Sequence, residues 1–101
     1  MIGITHVSSF EAGVASILIN IGCDIGMVYS EKKTEFRISM RAKKRICVET
    51  GLHLGKILEE VSEECEGSGG GHDGAASLNG KIDLKKILSK IIEKIKQILN
   101  Q

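Results

Sequence analysis

The sequence predicts an α/β domain: one small mixed sheet of about four to five strands with three helices packed on it. Three observations carry this. Short β-branched segments alternate with amphipathic stretches along the chain, the order that layers helices on a sheet. A length of 101 residues closes a single hydrophobic core and leaves no room for a second domain. Apolar residues at 42% against charged residues at 27% are the balance of a globular protein rather than a disordered one. No internal repeat interrupts the order.

Each element has its own signal. Ile2 to Val7 is short, β-branched and partly alternating, which predicts a strand. Ser8 and Glu11 stand at the S-x-x-E spacing of a capping box. Val14, Ile17, Leu18 and Ile21 then repeat at helical spacing, so a helix is predicted from about Ser9 to Ile21, with Gly22 as its stop. Ile25 to Tyr29 reads as a buried strand, and the polar Ser30 to Lys33 turns it back. Phe36, Ile38 and Met40 alternate with Arg37, Ser39 and Arg41, so period two sends the apolar set to the core and gathers two arginines and a serine on the opposite face.

Between Arg41 and Leu54 the pattern weakens into the basic run Arg41 to Arg45 and a glycine at Gly51. Leu54, Ile57, Leu58, Val61 and Cys65 form a second helical stripe that ends near Gly67. A low-complexity stretch, Gly67 to Gly74, follows; then Ala75 to Leu78 predicts a short strand closed by a turn at Asn79-Gly80. Leu84, Ile87, Leu88, Ile91, Ile92, Ile95, Ile98 and Leu99 give the cleanest amphipathic helix, with Asp83 placed as its N-cap.

Charge and composition exclude several classes. Fourteen basic and thirteen acidic residues leave a net charge of +1, which gives bulk electrostatics no warrant for broad nucleic-acid or membrane binding. The apolar runs fall far short of the ~20 residues a membrane span needs, and no charged, apolar leader opens the chain, so no membrane partner and a cytoplasmic location are the expectations. Cys23, Cys47 and Cys65 form no C-x-x-C pair and read as reduced, small, buried side chains. Asp24, Asp73 and Asp83 make no ligand-like spacing with a histidine, and His6 and His53 read as structural. The lysines of the last helix read as a solvated face. With Phe10, Tyr29 and Phe36 as the aromatics, strong autonomous base stacking is not expected.

Two features remain that could carry chemistry. In Gly69-Gly70-Gly71-His72 the glycines let main chain approach a ligand with no Cβ in the way, their N–H groups can converge on an anion, and the imidazole can donate to a phosphate oxygen. On composition alone a flexible connector is the commoner reading of such a run. It is neither a P-loop nor a dinucleotide fingerprint, since no G-K-[ST] follows and no helix opens on a G-x-G-x-x-G. Arg41 suits bidentate recognition of phosphate, and Ser39, pointing the same way, adds a hydroxyl. Taken alone, an arginine on a half-exposed strand is more often simply solvated.

Together, Ile38-Ser-Met-Arg-Ala42 and, about thirty residues later, Gly69-Gly-Gly-His-Asp-Gly-Ala-Ala-Ser77 resemble the C-terminal DHH-associated domain of DHH-family phosphoesterases. That family includes RecJ-like single-strand nucleases, oligoribonucleases and cyclic-dinucleotide phosphodiesterases, and its C-terminal domain carries S-x-R-S and G-G-G-H-x-x-A-A-G. The resemblance covers nearly the whole chain. It implies that Arg41 and His72 grip a phosphate, that Gly69, Gly70 and Gly71 form the loop beneath it, and that Ser39 assists. Ala42 stands where the pattern has Ser, which would weaken one hydrogen bond; Ser77 stands where it has Gly, with an effect expected only on a strand start.

The resemblance also implies what is missing. Hydrolysis in the family uses Mn²⁺ or Mg²⁺ held by an N-terminal domain containing D-H-H, and no D-H-H occurs here. The expected function is therefore that of a substrate-binding domain, residues 1–101. It would position a nucleotide, oligonucleotide or single-stranded nucleic acid for a separate catalytic domain, without hydrolysing it alone. The alternative is a non-enzymatic docking or self-association module that uses the isoleucine-rich last helix.

Overall fold

The computed structural model describes residues 1–8 and 11–100. In chain order the elements are β1 (Ile2–His6), α1 (Glu11–Asn20), β2 (Ile25–Glu31), β3 (Phe36–Ala42), α2 (Lys44–Thr50), α3 (Leu54–Ser62), a short 3₁₀ turn (Glu63–Cys65), β4 (Ser68–Gly71), β5 (Ala75–Gly80) and α4 (Leu84–Leu99). The strands form one five-stranded sheet in the order β1-β2-β3-β5-β4, parallel between β1 and β2 and antiparallel elsewhere. The α/β class and the mixed sheet are as the alternating elements predict. One helix more than predicted is present: α2 occupies the stretch after Arg41, ending at Gly51 in the left-handed conformation.

The register divides the sheet into two faces. On one, Ile25, Met27, Ile38, Met40 and Leu78 are buried and meet Leu54, Leu58 and Val61 of α3 and Ile87, Ile91 and Ile95 of α4. This is the core. On the other face α1 packs across β2 and β3, and the two arginines of β3 stand exposed beside it on the side toward β5 and β4.

Several expectations are corrected at the level of single elements. The helix predicted on Val14, Ile17, Leu18 and Ile21 exists, but Ile17 is 53% and Ile21 71% exposed, while Ala15 is fully buried. The cause lies in the sheet beneath. A Cβ at Gly26 would stand 3.0 Å from both the Ala15 carbonyl oxygen and the Leu18 Cβ, so α1 comes down on that glycine through Ala15 and Leu18 and turns Ile17 and Ile21 away. The start of this helix at Ser9 and the capping box lie outside the described residues. At α4, Asp83 occupies the N-cap position with φ 62° and makes no side-chain cap. Asn79-Gly80 is no turn: both residues pair with β3, opposite Arg37 and Phe36. Ser30 and Glu31 likewise extend β2, and the reversal falls at Lys32–Glu35, where the Lys32 N–H donates to the Glu35 carbonyl at 2.8 Å.

The glycine stretch is a strand. β4 pairs with β5, Gly69 opposite Leu78 and Gly70 opposite Ser77, rather than acting as a flexible connector. It lies against α3, where a Cβ at Gly55 would fall 2.3 Å from the Gly71 carbonyl oxygen and one at Gly69 2.7 Å from that of Leu58. The three cysteines are free and buried, as expected of small apolar side chains. No helix among the described residues is long and apolar enough to cross a membrane.

Candidate functional site

The β4–β5 hairpin is tied down at its tip. The His72 N–H donates to the Ala75 carbonyl at 2.8 Å and closes the reversal. The His72 carbonyl accepts from Gly55 N–H at 2.9 Å and that of Asp73 from Leu54 N–H at 3.0 Å, which satisfies free donors in the first turn of α3. Ala42 N–H reaches the Gly74 carbonyl at 3.0 Å, and the Gly74 N–H donates to Asp73 Oδ1 at 2.9 Å. Asp73, which carries no assignment from sequence, is thus part of the clamp that holds the hairpin against β3 and α3.

This clamp sets the register that matters. Arg41 pairs with Ala75 and Ser39 with Ser77, while Ser77 in turn pairs with Gly70. Arg37, Ser39 and Arg41 from β3, Ser77 from β5, and Gly70 and Gly71 from β4 line one groove of about 220 Å³ on the open part of the sheet. Both guanidinium groups are exposed and make no ion pair among the described residues. Among the described residues no carboxylate lines the groove, and two arginines stand there on a chain whose net charge is +1. Ser39 is buried, and its Oγ has no hydrogen-bond partner among the described residues. Such an orphaned hydroxyl costs about 1–3 kcal/mol unless something satisfies it.

The glycines divide by role. Gly69 faces α3, where its missing Cβ makes room for the helix, and it does not line the groove. Gly71, at φ +145°, would bring a Cβ within 2.6 Å of the Ala75 carbonyl. Gly70 alone in this run has, among the described residues beyond its chain neighbours, no atom within 4 Å of where its Cβ would stand. Folding does not demand a glycine there. What the bare main chain leaves is open space beside Ser77 and across from Ser39.

His72 is exposed at the hairpin tip and is not among the residues that line the groove. It stands at the Arg41 end, since both His72 and Arg41 neighbour Ala75 across the sheet, about 10 Å apart at ordinary strand spacing. Arg41, Ser39, Gly70 and Gly71 therefore share one groove, with His72 at its mouth. Alternation along β3 already sets Arg37 on the face of Arg41, whereas only the register brings Ser77 beside them. The Ser77 hydroxyl sits mid-strand in the groove floor rather than at a strand start.

Other polar residues serve the fold. The His53 ring nitrogen Nδ1 accepts from Lys56 N–H at 3.1 Å and caps α3, and His6 stacks on Tyr29 with centroids 5.0 Å apart. Lys43 and Arg45 of the basic run face Asp24 at 3.6 and 3.7 Å. Lys90 and Lys94 reach Glu64 and Glu60 from the core side of the sheet, away from the groove. Burial, with the Asp73 charge as a second cause, pushes the Cys47 thiol up. Among the described residues no three His, Cys, Asp or Glu side chains come together as metal ligands.

Fold and groove together define a small α/β domain with two exposed arginines beside a groove on one sheet face. The chain belongs to the DHHA1 domain family, whose model matches residues 9–100. It is 39% identical over 99 residues to an uncharacterized protein of Methanocaldococcus jannaschii, spanning 98% of this chain and 29% of that protein. It is 30% identical over 97 residues to the alanine–tRNA ligase of Bacillus pumilus, spanning 94% of this chain and 10% of the ligase. The chain thus spans under a third of the curated relatives it matches. Among solved structures, the C-Ala domain of Aquifex aeolicus alanyl-tRNA synthetase superposes with a TM-score of 0.71 at 18% identity, covering 99% of this chain and 89% of that one. A pGpG-specific phosphodiesterase of Vibrio cholerae gives a TM-score of 0.51 at 17% identity, covering 85% of this chain and 27% of that one. At those identities the likeness is one of fold.

Proposed function

We propose that this domain grips a phosphodiester of an oligonucleotide or single-stranded nucleic acid, in the manner of the substrate-binding half of a DHH-type phosphoesterase. One observation supports the reading: Arg41, Ser39 and the open backbone at Gly70 converge in a groove that holds two cations and, among the described residues, no carboxylate. Arg41 supplies a planar fork for two phosphate oxygens and Ser39 a hydroxyl, while Gly70 admits the chain to the sheet surface. His72 closes over the Arg41 end and acts as an electrostatic clamp, not as a base. The names of the relatives, ligases of tRNA and a phosphodiesterase of pGpG, support a phosphate-bearing ligand of nucleotide type. Hydrolysis belongs to a separate domain that holds Mn²⁺ or Mg²⁺ and activates water; this chain contributes position and charge.

Docking through the last helix has less to offer, since that helix spends most of its apolar stripe on the core. Ile87, Ile91 and Ile95 are fully buried, and Leu84, Leu88, Ile92, Ile98 and Leu99 pack against the same core.

The test is titration of the 101-residue chain with a linear dinucleotide, followed by backbone amide shifts. Arg41 and Gly70 to His72 shift if the reading holds; silence at millimolar ligand overturns it. Arg41→Ala and His72→Ala each weaken binding by ~1–3 kcal/mol, and a double variant that keeps full affinity shows the site to be elsewhere.

A further inference from the structure

A second cavity adjoins the groove and shares Arg37 with it. This cavity, of about 100 Å³, is walled by Ser30, Lys32, Glu35, Phe36, Arg37 and Asn79. Among the described residues Arg37 is thus the one charged side chain that faces both spaces, while Arg41 faces only the first. Side chains on a strand stand roughly perpendicular to the sheet. Four residues of an antiparallel strand therefore hold the two guanidinium groups roughly 14 Å apart at their base, too far for perpendicular side chains to share one phosphate. Between them lies a polar row, Ser39 paired with Ser77, and beyond it Asn79 paired with Arg37. In the second cavity Lys32 and Arg37 outweigh the carboxylate of Glu35, so it too is net positive.

We infer that Arg37, with Lys32 and Asn79, forms a second phosphate subsite, and that the ligand is a linear oligonucleotide laid along β3 with one phosphate at Arg41 and a later one at Arg37. The inference rests on the phosphate-binding reading of the groove and deepens it: the domain selects chain length. A mononucleotide fills the Arg41 end alone. A cyclic dinucleotide has no free continuation along the strand to reach Arg37. Arg37 is exposed and makes no ion pair among the described residues, so replacing its charge leaves the fold undisturbed.

The experiment measures dissociation constants of adenosine monophosphate, a cyclic diadenylate and a linear tetra-adenylate, by amide-shift titration, for the wild-type chain, Arg37→Gln and Arg41→Gln. The tetra-adenylate binds the wild type at least tenfold more tightly than either smaller ligand. Arg37→Gln removes most of that gain, leaves the monophosphate within twofold, and reduces the salt slope for the tetra-adenylate by about 0.7, the value for one phosphate contact on a single strand. Arg41→Gln weakens all three ligands. Equal weakening of monophosphate and tetra-adenylate by Arg37→Gln means that both arginines serve one phosphate, and the second subsite is overturned. It is also overturned if Arg37→Gln changes neither, or if the cyclic ligand matches the tetra-adenylate. If no ligand binds the wild type, or Arg41→Gln changes nothing, the underlying phosphate-binding reading falls and takes this inference with it.

Discussion

At the scale of single residues, the glycine run separates what folding demands from what a ligand demands. Gly69 and Gly55 are fixed by the approach of α3 to β4, because a Cβ at either collides with main chain at 2.7 or 2.3 Å. Gly69→Val therefore lowers stability by about 1–3 kcal/mol, the usual range for overpacking, read as a lower urea midpoint. A Cβ at Gly70 meets nothing within 4 Å among the described residues, and its φ is not in the left-handed range. A β-branched residue suits the strand there, so the melting temperature stays within a few degrees, while dinucleotide binding weakens at least tenfold. A Gly70→Val variant that binds normally places the ligand elsewhere. The motif itself is legible in the sequence, but this division of labour is not: the glycines read alike until the strand register shows which face each one takes. The same holds for Arg37. Alternation puts it on the face of Arg41, yet only pairing with Asn79 shows that it fronts a second cavity.

At the scale of elements, legibility follows the strength of the side-chain period. β3, α3 and α4 each carry an unbroken apolar series, and each lies where its pattern places it. β4 consists of Ser68 and three glycines, which have neither β propensity nor an alternation to read, so backbone pairing alone defines it. In α2 only Cys47 is fully buried, and one anchored side chain produces no stripe. α1 shows the opposite failure. Its isoleucines make a convincing stripe, but small residues in the facing strands reward the helix side that can approach most closely, and Ala15 and Leu18 win over Ile17 and Ile21. The consequence is measurable. Ile17→Lys and Ile21→Lys leave the urea midpoint nearly unchanged, within about 0.5 kcal/mol, as for ordinary surface substitutions. Ala15→Leu costs about 1–3 kcal/mol, because the added carbons press onto the β2 backbone at Gly26. Loss of stability in either lysine variant comparable to that of Ala15→Leu would return the buried face to the isoleucines.

At the scale of the whole molecule, one sheet face serves packing so that the other can serve a ligand, and α4 is what makes this division stable. Its isoleucines join the buried core beneath the sheet, and its lysines fasten it to the end of α3 and the turn beyond: Lys94 to Glu60 at 3.3 Å and Lys90 to Glu64 at 2.6 Å. The Lys90 ammonium, donating to Glu64, holds that carboxyl below the usual glutamate range. A carboxylate with a depressed value in the folded state stabilises the fold fully above its unfolded value of about 4.3, and the contribution disappears as pH falls through the lower folded value. Stability measured by urea unfolding should therefore be insensitive to this pair near neutrality and decline once pH drops below the ordinary glutamate value. Glu64→Gln removes the titrating group, so the variant shows a shallower acid decline while differing little from wild type at pH 7, as expected of a partly exposed pair. Phosphate binding at the groove, on the far side of the sheet, keeps its pH 7 affinity in Glu64→Gln. An equally steep acid decline in the variant would mean that other carboxylates govern the acid limit. A loss of affinity at pH 7 would mean that the two faces of the sheet are coupled rather than independent.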